Sequence, residues 1–123
     1  MTLQAARLFH CLADETRLRA MLLVDRHGEL CVCELVEALG DSQPKVSRHL
    51  ALLRNCGLLH DRRRGQWVFY SLPADLPAWV RSVLAEAASA ESDALAPLEA
   101  RLAAMSGRPQ RCAAPEPAVA TRA

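Results

Sequence analysis

Aromatic side chains are scarce in this chain: two Trp, two Phe and one Tyr amount to 4% of 123 residues. The apolar fraction of 51% is instead mostly Leu, Ala and Val, which favours packed helices over a sheet-built core. Long apolar runs are missing as well, since nowhere do about 18 consecutive apolar residues occur. The N-terminus Met1–Arg7 has no basic region leading into such a run. These absences predict a soluble, cytoplasmic protein with no membrane partner. Five cysteines (Cys11, Cys31, Cys33, Cys56, Cys112) make an odd count without secretory context, so they read as reduced thiols for metal or redox work, and structural disulfides are not expected. No glycine-rich loop surrounds any of them, which argues against a thiol enzyme that binds an oxyanion.

Net charge is nearly absent too, at +1, until it is divided along the chain. Residues 41 to 70 hold Lys45, Arg48, Arg54, Arg62, Arg63 and Arg64 against Asp41 and Asp61, a local +4 that leaves −3 for the remainder. Basic charge gathered in one segment is the footprint of a nucleic-acid binder. At 123 residues there is room for one domain, expected over residues 1–106, with 107–123 as a flexible tail lacking any apolar period. No internal repeat is present.

Apolar spacing at Ala5, Leu8, Phe9 and Leu12 predicts a first helix, and Asp14 can cap a second that runs to about Arg26, closed by His27-Gly28. A short third helix is expected over Val32 to Leu39. After the turn Gly40-Asp41-Ser42, Ser42 can cap a fourth helix whose early Pro44 loses no needed hydrogen bond. Val46, Leu50 and Leu53 form its inner stripe and Gly57 ends it. Leu58 to Arg62 and Gln66 to Leu72 read as a β-hairpin with a basic tip at Arg63-Arg64-Gly65. A long helix capped by Asp75 should follow, broken or kinked near Glu91 to Ala96 because of Pro97.

A helix-turn-helix followed by a basic hairpin is a winged-helix arrangement, mainly α with a small β-hairpin. Ser42, Gln43, Lys45, Ser47 and Arg48 lie where polar groups and free amides at a helix start meet phosphates and base edges. Gln43 and Arg48 are the candidates for base contact, because amide and guanidinium groups pair bidentately with adenine and guanine. Arg62, Arg63 and Arg64 suit phosphate or minor-groove binding. His49 and His60 have no companions that would make them ligands or bases.

Cys31 and Cys33 stand at a predicted helix start, where the helix dipole favours thiolates. Thiols alone select soft ions. On an ideal helix, residues two apart point nearly oppositely, so one ion held by both requires a distorted first turn, and that distortion would move the helix behind it. A trivalent metalloid takes three sulfurs. The third can be Cys112, from the same or another subunit, or a small-molecule thiol. Cys11 and Cys56 are expected as inert core residues.

Four motifs together resemble the ArsR/SmtB family of metal-sensing winged-helix repressors, in its arsenic-responsive branch: Cys31-Val32-Cys33 within Glu29–Leu35, Ala13–Arg17, Ser42–Leu50 and Arg64–Tyr70. The resemblance spans about residues 3 to 105. It implies a homodimer built on the first and last long helices, operator DNA with dyad symmetry, and release when arsenite or antimonite, As(III) or Sb(III), binds Cys31 and Cys33. Some members carry a third cysteine where this chain has Val36, and zinc-sensing relatives place aspartate and histidine ligands on the last helix, whereas here the segment from Asp75 to Met105 contains no histidine. Oxidation of the same thiols is an alternative trigger. An arsenate reductase is the rival of another class, and the missing oxyanion loop weighs against it.

Overall fold

Residues 3–108 are described by a computed structural model of the chain. Nine elements follow in order: α1 (Ala5–Leu12), α2 (Glu15–His27), β1 (Glu29–Cys31), α3 (Val32–Leu39), α4 (Gln43–Asn55), β2 (His60–Arg64), β3 (Trp67–Ser71), α5 (Ala78–Ala90) and α6 (Ser92–Ala104). Asp14 caps α2 by accepting the Arg17 amide at 3.1 Å, and Gly28 ends that helix at φ +83°, a conformation that favours glycine. The turn from α3 into α4 uses Gly40 at φ +71° and then Ser42, whose hydroxyl caps α4.

The hairpin is tighter than the sequence suggests. Arg63 and Arg64 lie within β2, paired with Val68 and Trp67, so the turn is Gly65-Gln66. The sheet has a third strand that sequence patterning does not reveal: β1 pairs antiparallel with β3, in the order β1-β3-β2. It places Cys31 opposite Phe69 and ties the root of α3 directly to the wing.

One core runs through the helices, with Leu8, Met21, Leu23, Leu35, Leu50, Leu53, Leu84, Leu95 and Leu102 fully buried. The inner stripe of α4 is as the spacing predicts: Val46, Leu50 and Leu53 are buried, while Gln43, Lys45 and Arg48 are exposed. The long C-terminal helix differs at its start, since Pro77 and not Asp75 occupies the cap position and Leu76 lies buried in the preceding turn. Its break falls at Glu91, inside the expected window, and Pro97 is accommodated within α6. No helix among the described residues is long and apolar enough to cross a membrane.

Candidate thiol site and nucleic-acid interface

Cys31 is the last residue of β1 and the N-cap of α3, in extended conformation at φ −88°, ψ 165°, whereas Cys33 is already in the first helical turn. The Cα atoms are 5.5 Å apart and the two sulfurs are paired. This corrects the expectation of a distorted helix. A strand-to-helix corner sets the two side chains at an angle that a continuous helix forbids, so they converge with α3 intact. When that pair is reduced, the two converging thiols make a donor set suited to a soft thiophilic ion.

The corner is held by a group the sequence reading passed over. Glu34 is only 3% exposed. It accepts the Cys31 amide at 2.9 Å and the Arg108 guanidinium at 2.8 Å. A buried carboxylate is tolerable when paired and hydrogen-bonded, and both conditions are met. The signal was legible: an N-cap residue followed three positions later by Glu is the pattern of a capping box, here with Cys in place of Ser or Thr. At the far end of α3, Arg101 on α6 donates twice to the Ala38 carbonyl, at 3.1 and 2.6 Å. Both ends of α3 are therefore anchored to arginines from the C-terminal segment.

A cavity of about 490 Å³ opens beside Cys33 and is also bordered by Val36, Gln43, Trp67 and Met105. It brings one of the thiols, the first residue of α4 and the tip end of the wing around a common space. Among the described residues, no three His, Cys, Asp or Glu side chains are grouped to hold a metal ion. Cys112, the candidate third sulfur, lies outside the described residues.

On the DNA side, Ser42 accepts the Lys45 amide at 3.4 Å, and the Lys45 ammonium is 3.4 Å from Asp41. Gln43, Lys45 and Arg48 project from the exposed face of α4, with Ser47 half-buried beside them. In the wing the three arginines divide by strand alternation. Arg62 and Arg64 share the face over the Phe69 ring, at 5.6 and 5.2 Å from its centroid. Arg62 is further held by Glu29 at 2.6 Å. Arg63 points the other way, is exposed, and makes no ion pair among the described residues.

Behind α4 sits a polar junction. Arg17 donates to the Cys11 carbonyl at 2.6 Å and lies 3.4 Å from His49 Nδ1, while Asp14 is 3.8 Å from His49 Nε2. His49 thus packs as a structural side chain. The hydrogen bond from the Arg17 amide, aided by the nearby His49 and Arg17 charges, holds the Asp14 carboxyl below its ordinary value against the opposing effect of burial. Next to this junction the sulfurs of Cys11 and Cys56 are bonded, with Cα atoms 7.0 Å apart. The expectation that these two are unpaired core residues, and that the chain lacks such disulfides, is corrected. Their 45-residue separation hid the contact from the sequence.

A helix-turn-helix with polar side chains leading its second helix, joined to a basic two-stranded wing, defines a winged-helix DNA-binding regulator. Residues 14–61 match the model of bacterial regulatory proteins of the arsR family. The chain is 55% identical to the arsenic resistance transcriptional regulator ArsR1 of Pseudomonas putida, over 84% of this chain and 80% of that protein. It is likewise 55% identical to the arsenical resistance operon repressor of Escherichia coli, over 71% of this chain and 74% of that protein. Among solved structures, reduced HlyU from Vibrio cholerae superposes with a TM-score of 0.63 at 34% identity, covering 70% of this chain and 86% of that one. The chain belongs to the arsR family of bacterial regulatory proteins. It is a transcriptional regulator and not an enzyme.

Proposed function

We propose that the chain is a cytoplasmic, homodimeric repressor that holds a dyad operator until arsenite or antimonite joins the sulfurs of Cys31 and Cys33. The observation that carries this reading is the convergence of those sulfurs at the N-cap of α3. A trivalent ion bridging them demands sulfur positions different from those of the free pair, and α3 leads through a three-residue turn into α4. The shared cavity between Cys33, Gln43 and Trp67 gives that displacement a route to the recognition helix and the wing at once. The names of the relatives from Pseudomonas putida and Escherichia coli support arsenic as the inducer.

In this reading Ser42, Gln43, Lys45, Ser47 and Arg48 enter the major groove while Arg62, Arg63 and Arg64 grip the backbone. Dimerisation is supported by apolar surface left on α1 and α5, where Phe9 is 54% and Trp79 37% exposed. The third sulfur is supplied by Cys112 or by a small-molecule thiol. An operator gel shift with and without arsenite tests the proposal. Arsenite should release the wild type and leave the affinity of Cys31→Ser equal to its own metalloid-free value; unchanged binding by the wild type refutes it. A second reading, oxidation of Cys31 and Cys33 to a disulfide as the trigger, is favoured by the pairing of the two sulfurs. Peroxide would then release DNA where arsenite does not.

A further inference from the structure

We propose that Cys11 and Cys56 form a second, independent redox-modification site, oxidised by a hydroperoxide and reset by a low-molecular-weight thiol, whose bonded state clamps α1 to the end of the recognition helix. Cys56 is the C-cap of α4 and Cys11 lies in α1, so their bond joins two elements that the chain connects only through α2, β1 and α3. Two further contacts cross the same junction. Arg7 on α1 reaches the Asn55 carbonyl at 3.4 Å. Arg17 bridges the Cys11 carbonyl and His49 on α4. Those polar contacts are indifferent to redox conditions, whereas the thiol pair can be made and broken.

The exposures assign the order of the chemistry. Cys56 is half-buried and Cys11 is 1% exposed, so Cys56 meets the oxidant and Cys11 resolves it. The Cys56 thiolate attacks one oxygen of the hydroperoxide, the O–O bond breaks, and an alcohol or water leaves with a sulfenic acid on Cys56. The Cys11 sulfur then attacks that sulfenic sulfur, the S–O bond breaks, and water departs. Two thiols and one hydroperoxide thus give a disulfide, an alcohol and water, with two electrons passing from sulfur to oxygen. Two equivalents of a thiol such as glutathione reverse it by exchange. The bonded junction restricts α4 to one placement on α1 and so removes ordering that operator binding would otherwise have to impose.

The test uses full-length wild type, Cys56→Ser and Cys11→Ala, each treated with hydrogen peroxide and then with dithiothreitol. Wild type should yield a Cys11–Cys56 cross-linked peptide about 2 Da lighter than the two free peptides and melt several degrees higher. It should also bind operator at least about threefold more tightly than peroxide-treated Cys56→Ser, a gap that dithiothreitol closes. Cys11→Ala should match Cys56→Ser, which guards against a folding defect in either one. Free alkylation of both cysteines after peroxide overturns the proposal, as does a cross-link that survives dithiothreitol or an operator affinity that ignores the bond. The arsenite response of Cys56→Ser reports on Cys31 and Cys33 separately, so failure of this site leaves the reading of the other untouched.

Discussion

The carboxylate of Glu34 holds the backbone amide of Cys31 at 2.9 Å. Through its other oxygen it also faces Arg108, so the first of the two thiols is tied to an ion pair with the segment that follows α6. Truncation by Glu34→Ala leaves that amide and that guanidinium without their acceptor. Denaturant unfolding should register a loss of about 2 kcal/mol, and Glu34→Gln, which keeps an acceptor for the amide, should lose less. Equal stability of all three proteins would show that the pair does not support the corner.

The wing arginines are not equivalent, because Arg62 is bound to Glu29 and stacked on Phe69 while Arg63 is exposed. Arg63→Ala should weaken operator and random-sequence DNA alike, lowering the slope of log affinity against log salt by about 1. Arg62→Ala should change that slope less and stability more. Titrations at several salt concentrations separate the two outcomes.

Ser42 both caps α4 and stands first among the groups facing DNA. Ser42→Ala should cost about 1 kcal/mol of folding stability through the lost cap, and Ser42→Asp should restore the stability yet bind DNA worse, since its charge opposes phosphate. Thermal melts paired with operator titrations read both effects.

Asp14 supplies a pH dependence of known sign. Its folded-state carboxyl sits below the ordinary value of 3.8, so its charge contributes stability above that value, lost as pH falls through the lower folded value. Asp14→Asn keeps the cap without the charge. Wild type should therefore exceed Asp14→Asn in stability at neutral pH, with the gap closing below pH 3.8. The carboxylate is 38% exposed, so solvent screening keeps the gap small.

Much of the fold was legible because local rules acted alone. The end of α3 follows from Gly40 and the start of α4 from Ser42 and Pro44, while the break at Glu91 falls in the window that Pro97 suggested although Pro97 itself sits inside α6. β1 escaped notice because three residues carry no period, and its partner β3 lies some forty residues away. The same distance problem concealed the Cys11–Cys56 bond and the Arg108–Glu34 pair, each joining segments that only the folded core brings together. Both thiols of the candidate site were named from the sequence, but with both placed in one helical turn a distorted first turn was expected, whereas Cys31 stands outside α3 as its N-cap. The spacing on α1 gave the helix, with Leu8 and Leu12 turned into the core and Phe9 left as exposed apolar surface.

In the proposed mechanism, sulfur capture at the α3 corner and operator binding oppose each other through one coupling free energy. Arsenite affinity measured on the same preparation with and without saturating operator tests it most directly. Operator should weaken arsenite binding by the same factor by which arsenite weakens operator binding, and Cys33→Ser should abolish both effects. An arsenite affinity indifferent to bound operator would contradict it.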